Sequence, residues 1–177
     1  LFAEGISVLT YFGHSSATTL EFNIDNPQSY NNPGKYPVFF VNGCNAGNFF
    51  TYYPQRLEVN ETLSEKFVLA KQRGSIAFVA STHFGIVNYL NIYLNNLYNQ
   101  IGKTHYGTSL GEIQMTSLQG LITATGPFDY YARMHAEEIT LHGDPSIKLN
   151  VQPKPDYVIE EPQIKVDPSF ISIAEDS

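Results

Sequence analysis

The sequence predicts an α/β domain built on a mainly parallel sheet with helices on both faces. Three observations carry this. Short runs rich in β-branched and aromatic residues recur along the chain, segments with helical spacing separate and follow them, and each run closes on Gly, Asn or Ser-Thr. The first run, residues 6–12 (ISVLTYF), ends at Gly13 and reads as a strand buried on both faces. The second, residues 36–41 (YPVFFV), ends at Asn42-Gly43, and the third, residues 75–80 (SIAFVA), at Ser81-Thr82.

Between the second and third runs, Thr62 and Glu65 form a capping box. Leu63, Phe67 and Ala70 share one face of the helix that follows, and Gly74 marks its end. Residues 86–101 form a longer helix with Ile86, Leu90, Leu94, Leu97 and Ile101 in register. Ser109 with Glu112 opens a further helix, and residues 128–139 form the last. The composition changes near Val151, where Pro153, Pro155, Pro162 and Pro168 punctuate an acidic stretch. The expected organisation is a domain over residues 1–150, then a Pro-rich acidic linker over 151–177 that includes the first strand of a following domain. Without an initiating Met, and with Leu1 leading almost at once into a strand, the chain reads as a piece of a larger polypeptide.

Composition narrows the function. The 177 residues are 42% hydrophobic and 15% charged, which suits one folded domain and argues against disorder. Ten basic against seventeen acidic residues give a net charge of −7 with no Lys/Arg cluster, so nucleic acid is not an expected partner. No apolar run approaches the ~18 residues of a membrane span. The lone cysteine, Cys44, cannot form an intrachain disulfide.

In parallel sheets, ligands sit off the carboxyl ends of the strands. His14, Cys44 and His83 each fall two or three residues beyond such an end. A nucleophilic cysteine needs a base or cation beside it and donors aimed at the developing oxyanion. Two neighbouring strands supply these if one ends in Gly13-His14 and the other in Gly43-Cys44. The backbone N–H groups of Ser15 and Cys44 would then face one oxyanion site, and the small residues after Cys44 (Asn45, Ala46, Gly47) leave the sulfur approachable.

An apolar strand ending in Gly-His, followed some thirty residues later by one ending in Cys, resembles the caspase-like clan of cysteine peptidases, and most closely its gingipain-type branch. The helix leading to GSIAFVAST, the long helix beyond it, and LHGDPSIKL at 141–149, similar to the family's closing strand, extend the resemblance over most of residues 5–150. It implies a three-layer, caspase-like catalytic domain, represented here by its C-terminal part, followed by an immunoglobulin-like domain. It further implies an endopeptidase acting on peptide or protein substrates, with Cys44 as nucleophile and His14 as acid/base. Ser81, Thr82 and His83 would border the substrate pocket. Ser15 stands where the family has Gly, and the family's upstream half, with a carboxylate assisting the His, lies outside this chain. Secretion or display at a bacterial surface, alongside the rest of the parent polypeptide, is part of the same implication.

Two competing readings arise. Gly13-His14-Ser15-Ser16-Ala17 approximates the G-x-S-x-G elbow of serine α/β-hydrolases, with Asp129 and His135 or His142 completing a triad. A poor helix after the elbow, TTLEFNIDNP, counts against it. Alternatively, the domain is a degenerate peptidase acting as a binding scaffold. His83, His105, His135 and His142 read as surface or packing residues, and no cofactor is expected. Asp144 reads as a turn cap in preference to a calcium ligand.

Overall fold

The structure is a computed structural model, and it describes residues 2–22, 24–50, 62–155, 159 and 161–165. Among the described residues four strands form one sheet in the order β1 (Val8–Phe12), β2 (Val38–Asn42), β3 (Ala77–Ser81), β4 (Ile139–Gly143). The first three are parallel and β4 runs antiparallel to β3. The helices are α1 (Leu63–Val68), α2 (Val87–Asn99), α3 (Leu110–Thr125) and α4 (Tyr130–Glu138).

Every residue of β2 and β3 is buried, as expected of central strands covered on both faces. Alternation along them builds two cores. Val38 and Phe40 of β2, with Ala77 and Val79 of β3, face Leu90, Tyr93 and Leu97 of α2 and Leu110, Ile113 and Leu121 of α3. Phe39, Val41, Phe78 and Ala80 face the other way, onto Leu63 and Phe67 of α1 and onto Tyr11 and Leu20. The result is a three-layer arrangement. One buried polar pair crosses the first core: Tyr93 donates to Gln114 Oε1 at 2.5 Å, and Gln114 Nε2 donates to the carbonyl of Ile139 at 3.2 Å.

The helix starts follow the capping signals. Glu65 accepts the N–H of Thr62 at 2.7 Å, and Ser109 Oγ accepts that of Glu112 at 3.3 Å. α1 stops well short of residue 73 because the chain turns back at Gln72 and Gly74, both at positive φ. Gly74 is so close to the Phe67 carbonyl that a Cβ there would overlap it. α2 ends at Asn99 and passes into a π-turn, Gln100–Thr104.

Two expectations need correction. β1 lies at the edge of the sheet, with only Tyr11 buried, and so is not a strand covered on both faces. The closing strand begins two residues before Leu141, directly from α4, and ends at Gly143. Its GDPS continuation turns, with Asp144 Oδ1 accepting the N–H of Ser146 at 2.8 Å. Of the proposed linker, residues 151–155 are exposed, and most of 156–177, where the following strand was expected, lies outside the described residues. Among the described residues no helix is long and apolar enough to cross a membrane.

Phe39, Phe67 and Phe78 are fully buried and packed ring to ring, with centroids 4.6–5.9 Å apart. Phe78→Ala should therefore lower unfolding stability by about 3–5 kcal/mol, read as a reduced urea midpoint at unchanged slope.

Candidate active site

The register of the first two strands positions the site. Phe12 of β1 pairs with Asn42 of β2, so His14 and Cys44 each lie two residues past the same rung. The ladder continues one step, with Gly13 N–H donating to the Asn42 carbonyl at 3.1 Å. Beyond it the two loops press together. A Cβ on Gly43 would fall 2.5 Å from the carbonyl oxygen of Gly13 and overlap Ser15 Oγ, so only glycine permits this approach. Ser15 Oγ donates to the Cys44 carbonyl at 2.8 Å, and Tyr11 OH donates to the His14 carbonyl at 2.5 Å. His14 is exposed and Cys44 half-buried on the same rim.

The chain leaves Cys44 through Asn45 at φ 58°, a left-handed conformation that Asn tolerates. This turns the loop onto the end of β3, where Asn45 N–H donates to the His83 carbonyl at 2.7 Å and Gly47 N–H to that of Ser81 at 2.9 Å. The sulfur meets Gly85 on both sides of its peptide chain. The Gly85 N–H points at Cys44 Sγ from 3.4 Å, and the thiol faces the Gly85 carbonyl at 3.8 Å. Among the described residues, no hydrogen bond is seen from the N–H groups of Ser15 and Cys44. Ser15 has no positive φ, so replacing the usual glycine there introduces no backbone strain.

The serine elbow is not formed. Ser15 enters a tight hairpin, bridging to Leu20, and no helix follows it. Its hydroxyl is spent on the Cys44 carbonyl. Asp129 caps α4 through the Ala132 N–H at 2.9 Å and accepts from Tyr89 OH at 3.1 Å. His135 is fully buried with both ring nitrogens engaged. His142, on β4, hydrogen-bonds Thr140 Oγ1 at 3.0 Å and packs edge-on to Phe49; burial lowers its pKa. His105 pairs with Gln100 Oε1 and reaches toward Glu112.

Of the three residues expected at the pocket border, Ser81 is buried and cannot line a surface. Its hydroxyl instead lies 3.2 Å from the His83 carbonyl and 3.5 Å from Glu138 Oε2, tying the loop down. Thr82 is half-buried, its N–H held by the Glu138 carbonyl at 2.9 Å, and His83 is exposed, stacked edge-on with exposed Phe84. Two residues of this region escaped the sequence reading, Gly85 and Glu138, while His135 entered it only as a packing residue or as a partner of the serine elbow. Glu138 lies 3.8 Å from His83 Nδ1. Burial raises its carboxyl pKa, while His83, His135 and the Ser81 hydroxyl pull it back down. Among the described residues no cluster of three or more His, Cys, Asp or Glu side chains is arranged to hold a metal ion.

The three-layer sheet, with its His and Cys loops joined at one rim, defines an α/β domain of the caspase-like class. The profile of Peptidase family C25 matches residues 1–150, and the chain belongs to that family. It is similar in structure to the Arg-specific cysteine proteinase gingipain R (RgpB), with 19% identity and a TM-score of 0.67 over 82% of this chain and 34% of that one. It is equally similar to the complex of Porphyromonas gingivalis RgpB pro- and mature domains, at 20% identity and a TM-score of 0.68 over the same shares. A structure described only as a protease follows at 16% identity and a TM-score of 0.64, over 83% of this chain and 36% of that one. The chain thus spans about a third of the length of the solved structures it matches. No curated protein sequence matches it.

Two outcomes are expected of the loop contacts. Gly43→Ala forces the two rim loops apart and should cost about 1–3 kcal/mol of stability, measured by chemical denaturation. Glu138 is lifted in the folded state, so ionising it opposes folding, and the lost stability returns as pH falls through its raised pKa. Glu138→Gln should therefore raise Tm at pH 7, with the gain over wild type shrinking toward pH 4.

Proposed function

We propose that the parent protein is a cysteine endopeptidase in which Cys44 is the nucleophile and His14 the acid/base. The observation that carries this is the joining of the two loops at one rim, through the Gly43–Gly13 approach and the Ser15–Cys44 hydrogen bond. In the proposed cycle the Cys44 thiolate attacks the scissile carbonyl carbon, forming a C–S bond and an oxyanion. The N–H groups of Ser15 and Cys44 receive that oxyanion. The C–N bond then breaks as His14 gives its proton to the leaving amine. Water, losing a proton to His14, attacks the thioester and releases the carboxylate and the thiol.

Family membership and the caspase-like fold support this reading. Among the described residues the sulfur's hydrogen-bond partners are both from Gly85, and His14 is exposed; catalytic hydrogen bonds often tighten only when substrate is bound. The substrates are peptides or proteins, and the family resemblance favours a secreted or surface-displayed parent in which the rest of the polypeptide completes the substrate cleft.

Hydrolysis of an unstructured protein by the full-length parent tests the assignment. Cys44→Ala should abolish turnover and His14→Ala should lower kcat by roughly 10²–10⁴-fold. Ser15→Ala should keep most activity, since only its backbone N–H is used. A peptidyl acyloxymethyl ketone should label Cys44 in the folded protein in a His14-dependent manner. A thiol that reacts only on unfolding would overturn the enzyme and favour a binding scaffold.

A further inference from the structure

The hairpin that carries His14 and Ser15 is closed at its base by a single hydroxyl that the catalytic cycle does not use. Tyr11 is the one buried residue of β1; its ring shares a core with Leu20 and meets Phe22 edge-on, with centroids 6.0 Å apart. Its OH donates to the His14 carbonyl on the outgoing arm at 2.5 Å and accepts the N–H of Glu21 on the returning arm at 3.3 Å. A phenol has one proton to give and lone pairs to receive, so both bonds form at once. Gly13 makes the room, because a Cβ there would fall 2.9 Å from the Tyr11 oxygen. Farther out, Ser15 bridges to Leu20 and the Ser16 N–H donates to the Thr19 carbonyl at 2.9 Å, completing the hairpin.

The bond to His14 has a consequence for the next residue. The His14 carbonyl and the Ser15 N–H belong to one peptide plane, and in a trans peptide the two point in opposite directions. A hydroxyl that fixes the carbonyl therefore fixes the N–H on the far side of that plane. Ser15 is held independently by its own Oγ on the Cys44 carbonyl. The peptide is thus tied at one end to Tyr11 and at the other, through the Ser15 side chain, to the Cys44 loop. Removing the Tyr11 hydroxyl frees this peptide to rotate, and the amide proton turns with it.

We propose that Tyr11 is a positioning residue: by clipping the His14 carbonyl to the Glu21 N–H it sets the plane of the His14–Ser15 peptide, and so aims the Ser15 N–H at the oxyanion. Donors held in place beforehand are effective because they need no reorientation when charge develops. The proposal rests on reading Cys44 as the nucleophile and the Ser15 N–H as an oxyanion donor. It assigns the phenol no proton transfer and no contact with substrate.

Tyr11→Phe keeps the ring and removes the oxygen, and the full-length parent is the protein to compare. The variant should lower kcat by about 10-fold or more with KM little changed, short of the roughly 10²–10³-fold that outright loss of an oxyanion donor costs. Affinity for a peptide aldehyde, whose carbonyl oxygen becomes an oxyanion when the Cys44 sulfur bonds to its carbon, should fall by a similar factor. A merely structural hydroxyl would move stability alone. A folded variant with wild-type kcat, KM and aldehyde affinity overturns the proposal. Should the variant not fold, the Ser15 amide of the wild-type parent decides: its proton resonance should move downfield when the aldehyde binds, and an unmoved resonance sinks the idea. The clip also has a readout without turnover. The Glu21 amide should exchange with solvent at least about 5-fold faster in Tyr11→Phe, and an unchanged rate counts against it. A wild-type parent that neither hydrolyses protein nor takes up the aldehyde overturns the peptidase reading itself, a result distinct from a selective loss in the variant.

Discussion

The parallel pairing of Phe12 with Asn42 is the constraint from which the site follows. It brings two strand ends to the same height, and glycines at 13 and 43 let both chains turn there without a Cβ between them. In a parallel ladder a slip of one residue would invert the faces of β2. Phe39 and Val41 would then trade cores with Val38 and Phe40, against the packing of α1 on one side and of α2 and α3 on the other. The two cores therefore hold the rung that brings the His14 and Cys44 loops to one rim.

β3 adds the depth. Its exit loop is fastened to the Cys44 loop by the carbonyls of Ser81 and His83, and to the α4–β4 corner through the Glu138 carbonyl and carboxylate. Cys44 is thus held by three connected segments, and its sulfur meets peptide groups in place of charged side chains. Peptide dipoles fixed in this way cost no reorganisation when charge develops, which is the advantage of building such a site at strand ends.

Much of this was legible in the residues. Strand runs, capping boxes and the Gly-His and Gly-Cys ends all depend on local chemistry, and they fall within a few residues of their observed positions. The exposed edge of β1 was not legible, because its ISVLTYF run has the same character as the central strands and exposure depends on what lies beside it. The antiparallel direction of β4 was hidden for a related reason: a short strand emerging directly from a helix carries no turn signal. Ser81 reads as a polar residue in a rim loop, although its hydroxyl is consumed below the surface. His135 left a trace. Ala132, His135 and Ile139 lie at i, i+3 and i+7, so the imidazole sits on the buried stripe of α4, where an unpartnered polar ring would be costly. Which atom it serves depends on α2 packing across it, and no spacing rule reports that.

The two proposed catalytic groups are held with unequal rigidity, and the chemistry explains why this is workable. Cys44 follows a fully buried central strand, and its loop is bonded on two sides. His14 follows an edge strand and is exposed, and among the described residues its tie is the Tyr11 hydroxyl on its carbonyl. The sulfur must stay within reach of one carbon throughout the proposed cycle, and a shift of an ångström there would cost orders of magnitude in rate. The imidazole has two tasks at different positions, first at the leaving nitrogen and then at the attacking water. A ring anchored by its backbone and free at its tip can meet both, whereas one locked onto the thiol would have to break that bond before each proton transfer.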